Sequence, residues 1–279
     1  MKIITEETQL RHFLPNFFTS VEGEMSLLDK LTPFLETSEE WVKQTFTSET
    51  TFNTIAGYSD SNILKPVLAR VVVNHALLAA IPTLDLVLTP NGFGIVSNQN
   101  VAPASKERVD RLLDSLERDR DSAIDQLLRR LPQASKWLQS EQCAFFTATL
   151  FPNLSLCRRL AIREHLWAQY QLLQARLIKI ENVLAETYFS HEQMNVFREK
   201  ALYMLTNCHP LMLQVIRSLQ SLELMLVSDM QVQTQAYFDL VNIIRENADV
   251  FPEWHASNVA DLYIPKLFEN KKRSGGYWF

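Results

Sequence analysis

Hydrophobic positions recur along most of this chain at spacings of three and four, the pattern of helices that cover one face. The clearest run is 161–188, where Leu166, Tyr170, Leu173, Leu177, Ile180 and Leu184 follow at intervals of 4, 3, 4, 3 and 4. That heptad seam predicts a long helix crossing its neighbours at a shallow angle. Shorter helices are predicted over 5–14, closed by Pro15, and over 134–140. In 23–48 the same periodicity holds, but Pro33 predicts two helices, with Ser38 capping the second. Residues 53–62 read as a loop. Two segments, 67–80 and 211–230, are apolar on almost every side, which predicts burial and puts the second at the bundle centre. A helix is expected from Ser190 to about 205, and a last amphipathic one through Tyr237, Leu240, Val241 and Ile244. The run 142–156 fits either a packed connector or a small extended element. The two halves resemble each other in kind, each an apolar helix flanked by amphipathic ones, with no repeat legible residue by residue.

One stretch departs from helical spacing. Leu84-Asp85-Leu86-Val87-Leu88 is short, branched-rich and bounded by Pro82 and Pro90, as a strand would be. Thr89-Pro90-Asn91-Gly92 supplies turn chemistry, and Phe93-Gly94-Ile95-Val96 can return as a partner strand. Ser105 is then a candidate N-cap, with Glu107 in the first turn of a helix carrying Val109, Leu112, Leu113, Leu116, Ile124, Leu127, Leu128 and Leu131. The stripe lapses at Arg118-Asp119-Arg120-Asp121, expected to be a solvated face, as are Asp110, Asp114 and Asp125. Pairs four apart (Glu107–Arg111, Asp114–Arg118, Asp125–Arg129) each contribute only about 0.3 kcal/mol, so leucine packing must dominate. The expected fold is mainly α: a helical bundle with one projecting β-hairpin near 84–97. It forms a single helical domain over 1–250, followed by an irregular tail over 251–279.

Glycine usage strengthens this picture. Of six glycines, none falls between residues 95 and 274, which disfavours a sheet-and-turn fold or a glycine-rich phosphate loop there. Hydrophobic residues make up 47% of 279, enough for a sizeable core. A net charge of −5 argues against a dedicated nucleic-acid binder. The three cysteines, Cys143, Cys157 and Cys208, form no CxxC pair and suit reduced thiols. Neither a signal peptide nor a membrane span is expected.

No catalytic, cofactor-binding or metal constellation is read. The six histidines are scattered, and His191-Glu192 lacks the second histidine of a zinc-protease motif. Cys208-His209 reads as a packed thiol beside a local polar contact. Gly92-Phe93-Gly94 lacks the frame of a dinucleotide site and reads as a turn. The candidate interface residues are Pro90, Asn91, Gly92, Phe93 and Gly94 on the hairpin, and Tyr277, Trp278 and Phe279 at the end. Three terminal aromatics either dock in a partner or fold back on their own core.

Residues 88–98 with 101–108 (Leu-Thr-Pro-Asn-Gly-Phe-Gly-Ile-Val-Ser-Asn, then Val-Ala-Pro-Ala-Ser-Lys-Glu-Arg) resemble a family of uncharacterised proteins in phages and prophages of gut Bacteroidales. The ending 271–279 is similar to the closing motif of that family. The resemblance implies a virion structural role. By shape, it suggests a head–tail connector, or neck protein: a homo-oligomeric ring between portal and tail proteins, assembled in the host cytoplasm. Such a ring would need no cofactor, and Lys271-Lys272-Arg273 would offer a weak contact with DNA in its channel. The other reading is a cellular helical scaffold or adaptor binding a protein partner.

Overall fold

Ser26 opens the first long helix: its hydroxyl accepts the Asp29 N–H at 3.1 Å, satisfying one of the free donors of the first turn. A computed structural model describes residues 2–13, 26–59, 61–83, 86–89, 92–95, 105–134 and 136–264, with 86–89 and 92–95 described through their backbone alone. The chain divides into two compact units. Unit 1 comprises Met1–Gln174 with Leu202–Met204, and unit 2 comprises Ala175–Ala201 with Leu205–Phe279. Both are mainly helical.

Unit 1 begins with α1 (Glu7–Phe13) and α2 (Leu27–Val42). The break expected at Pro33 does not occur. Pro33 is exposed, so the helix loses one hydrogen bond on its wet side, where packing through Leu31 and Leu35 holds it together. Ser38 is accordingly no cap: it is buried within α2 and shares a 2.9 Å hydrogen bond with His75 Nδ1. A π-helical turn, Lys43–Thr47, widens the end of α2 and delivers Ser48 in a left-handed extended conformation (φ 67°, ψ 160°). Ser48 caps α3 (Glu49–Ala56), so helix replaces part of the loop expected from residue 53.

The apolar α4 (Leu64–Ala80) is buried along Leu68, Val71, Val72, Val73, Ala76 and Ala80, and it pairs with α5 (Lys106–Arg130) as the most extensive helix contact of the unit. Its length and composition would also suit a membrane span; here more than half of that apolar run is covered by the protein itself. Between them the backbone forms β1 (Leu86–Thr89) and β2 (Gly92–Ile95), antiparallel, with Leu86 opposite Ile95 and Thr89 opposite Gly92. Beyond α5 lie 3-10 turns at Leu131–Gln133 and Trp137–Gln139, where a short helix was expected. Next come α6 (Glu141–Phe146), α7 (Ser155–Arg159) and the start of α8 (Leu166–Leu184). Trp137 is fully buried, and its indole N–H donates to the Phe46 carbonyl at 2.6 Å.

The heptad seam of α8 is rotated from its expected line. The buried stripe is Tyr170, Gln174, Leu177, Glu181 and Leu184, so two polar residues stand where Leu173 and Ile180 were expected. In unit 2, α8 ends in a second π-helical turn, Ala185–Phe189, followed by Ser190 at φ 60° and ψ 154°. The unit continues through α9 (His191–Leu202), α10 (Pro210–Val227) and α11 (Thr234–Glu246). Only one face of α10 is fully buried (Met212, Val215, Ile216, Leu219, Gln220, Glu223 and Val227), so it is not enclosed all round. The expected amphipathic face of α11, Tyr237, Leu240, Val241 and Ile244, is buried. Residues 251–264 are not irregular. They form α12 (Pro252–His255) and α13 (Ala260–Tyr263), because Phe251 and Trp254 are wholly buried and fix the backbone between them.

Candidate interaction site

The strands β1 and β2 lie in sequence between α4 and α5, so the packing of that helix pair bears on where the hairpin is carried. The first ten residues of α5 carry no buried side chain; its buried positions begin at Leu116 and continue through Ala123, Ile124, Leu127 and Leu128. Leu112 is 49% exposed, so the leucine stripe leaves the core as the helix approaches the hairpin.

The charge run at the middle of α5 is only half solvated. Arg118 and Asp119 are exposed, but Asp121 and Asp125 are almost completely buried. Asp121 accepts Arg120 Nη2 at 2.8 Å on one oxygen and the backbone N–H of Trp167 at 3.2 Å on the other, pinning α5 to the start of α8. Asp125 Oδ2 receives Arg129 Nε at 3.0 Å and Arg158 Nη1 at 2.8 Å, tying α5 to α7. Glu117 bridges Arg120 at 3.0 Å and His165 Nδ1 at 2.7 Å. Burial of a carboxylate demands such partners, which is why acids on a helix face ended inside. The pair Asp125–Arg129 forms as the spacing predicts. Arg111 and Arg118 instead turn to the carbonyl oxygens of Glu107 and Asp114.

Cys157 lies beside this cluster and donates to the Leu166 carbonyl at 3.4 Å. Burial, then the negative Asp121, pushes its thiol up to about 11, so it stays protonated. The Glu117 contact raises the imidazole of His165, which favours its cationic form there. On the α2–α4 side, His75 stacks on Trp41 with ring centroids 3.9 Å apart. Burial, with the nearby positive Arg120, lowers that imidazole to about 4 and keeps it neutral at pH 7.

The sequence-derived interface residues are only partly placed. Pro90, Asn91, Tyr277, Trp278 and Phe279 lie outside the described residues. Gly92, Phe93 and Gly94 are placed by the β2 backbone, with Phe93 opposite Leu88 and Gly94 opposite Val87. Cys208 and His209 form no joint site: the thiol is half-buried, and His209 Nδ1 accepts the Leu211 N–H at 3.3 Å as the N-cap of α10. Among the described residues no group of three His, Cys, Asp or Glu is arranged to hold a metal ion.

Sequence comparison adds one match. A family of unknown function (DUF6712) matches residues 23–147, the span from just before α2 to just after α6, with the hairpin inside it. No curated protein and no solved structure matches the chain.

Proposed function

We propose that the protein is a virion structural component, a head–tail connector or neck subunit that works as a homo-oligomeric ring between portal and tail proteins and catalyses no reaction. The observation that carries this reading is the mounting of the hairpin. A two-stranded element is marginal on its own in water. This one is joined to a helix pair whose α5 member is pinned to two other helices by buried Asp121 and Asp125. A short β element carried in sequence ahead of a helix whose first ten residues bury no side chain suits insertion into a neighbour. The resemblance of 88–98, 101–108 and 271–279 to phage proteins supports a virion setting, and the aromatic sequence Tyr277-Trp278-Phe279 is the second contact element of this reading. A closed ring needs two different complementary surfaces on each subunit, and in this reading the hairpin and the tail contribute to them.

Mass photometry and negative-stain microscopy of the purified protein, alone and mixed with portal protein, test the reading. The expected result is closed rings of one size, formed alone or on the portal. A protein that stays monomeric in both samples rules out the ring and leaves the helical adaptor as the better account.

A further inference from the structure

The two units share a set of contacts that ordinary helical packing does not require. In unit 1, α2 runs into a π-helical turn, then Ser48 in left-handed extended backbone, then α3 capped by the Ser48 hydroxyl. In unit 2, α8 runs into a π-helical turn, then Ser190 in the same conformation, with its hydroxyl accepting the Gln193 N–H at 3.2 Å as α9 begins. A non-glycine residue in that region of backbone space is rare, and here it recurs at the same joint.

The agreement continues residue by residue. Two positions before each serine stands an aromatic, Phe46 or Tyr188, whose carbonyl accepts a tryptophan indole N–H: Trp137 at 2.6 Å, Trp254 at 2.8 Å. Nine positions before each serine stands a buried glutamate, Glu39 or Glu181. Three positions after each tryptophan a serine hydroxyl donates to the tryptophan carbonyl at 2.6 Å: Ser140 in one unit, Ser257 in the other. Each hydroxyl also accepts a backbone N–H three residues on, from Cys143 or Ala260. Nine positions after each tryptophan an aromatic ring returns to the first aromatic, Phe146 to Phe46 at 6.0 Å and Tyr263 to Tyr188 at 6.5 Å. An apolar–proline step precedes each tryptophan at unequal spacing, Leu131-Pro132 five residues before Trp137 and Phe251-Pro252 two before Trp254.

From these correspondences we infer that the chain is a tandem duplication of one helical module. The first copy is α2–α6, the span matched by the family of unknown function. The second is a diverged copy running from α8 to α13. The copies differ most between their third and fourth helices. In the second, α10 and α11 are joined by residues 228–233. In the first, residues 81–105 intervene, and α5 then needs ten more residues before its first buried side chain, Leu116. Residues 81–115 are therefore an insertion that the module does not need in order to fold, and we assign its hairpin to contact with another molecule. That last step rests on the ring reading above; the duplication does not.

The test is a full-length variant in which residues 81–115 are replaced by the six residues of the 228–233 connection. The expected result is a helical circular dichroism spectrum and a cooperative thermal transition close to those of the parent, with rings lost. Loss of the cooperative transition overturns the insertion. A variant that folds and still forms rings removes the hairpin from the ring reading while supporting the insertion. An experimental structure of the unaltered chain checks the duplication separately. The segments 39–48 with 137–146 should superpose on 181–190 with 254–263, Trp137 falling on Trp254. Failure of that superposition overturns the duplication, whatever the rings do.

Discussion

The imidazole of His75 lies flat against the indole of Trp41, with planes 8° from parallel and centroids 3.9 Å apart, while Ser38 bonds its Nδ1 at 2.9 Å. The Arg120 guanidinium of α5 acts on it, so a proton on this ring is opposed first by burial and then by like charge.

Stability should therefore depend on pH in a defined window. The folded-state value, about 4, lies below the ordinary histidine value of 6.5, so between them the unfolded chain binds the extra proton. The contribution is complete above about pH 6.5 and declines as pH falls towards 4, by at most about 1.4 kcal/mol per pH unit. Thermal midpoints from pH 8 to 4 should fall more steeply for the parent than for His75→Gln. Parallel curves would remove His75 as the cause.

Trp137→Phe and Trp254→Phe each remove one indole N–H from a carbonyl that it satisfies. Each should cost about 2 kcal/mol, the penalty for stranding a buried acceptor. Hydrogen exchange localises the effect. Faster exchange is expected around 43–52 in the first variant and around 185–194 in the second. Uniform changes across the chain in both would count against a local bond.

Two ion pairs should behave differently. Lys2–Glu36 is more than half exposed on both sides, so Glu36→Gln should leave stability nearly unchanged. Asp125 is 2% exposed and receives two guanidinium groups that are themselves partly solvated. Asp125→Asn should cost about 2 kcal/mol, below the penalty for a fully buried pair. Urea unfolding of both variants makes the comparison, and equal losses would contradict it.

Thiol reactivity should be ordered by access. Cys143 and Cys157 are buried, and burial raises both thiols, Cys157 to about 11. Cys208 is half-buried, and nearby Lys200 partly offsets the rise that burial causes. Under native conditions iodoacetamide should label Cys208 first, as peptide mass spectrometry would show. Equally fast labelling of Cys157 would mean that its enclosure opens readily.

The helical class was legible because long apolar stripes such as that of α11 leave few other options. What escaped was decided by partners distant in sequence. Pro33 reads as a break, yet one exposed lost hydrogen bond is outweighed by the packing of Leu31 and Leu35. Asp121 and Asp125 read as solvated acids, since nothing near them announces Arg158 or the Trp167 N–H. The duplication was hidden by unequal spacing: 91 residues separate Phe46 from Trp137, but 66 separate Tyr188 from Trp254. No fixed period survives an insertion, and the shared glutamate, serine and tryptophan positions are too few to stand out. The hairpin side chains, on which the interface reading depends, lie outside the described residues.

Ser48 and Ser190 turn a familiar rule around. Glycine usually weakens a helix, yet at φ 67° or 60° with ψ near 155° it is the residue without a side-chain clash. Replacing either serine sacrifices one hydroxyl cap, a loss of a few tenths of a kcal/mol against glycine, and relieves about 1–3 kcal/mol of distortion. Each corner is thus a spring held shut by an indole, and swapping serine for glycine should slacken it and make the protein tougher.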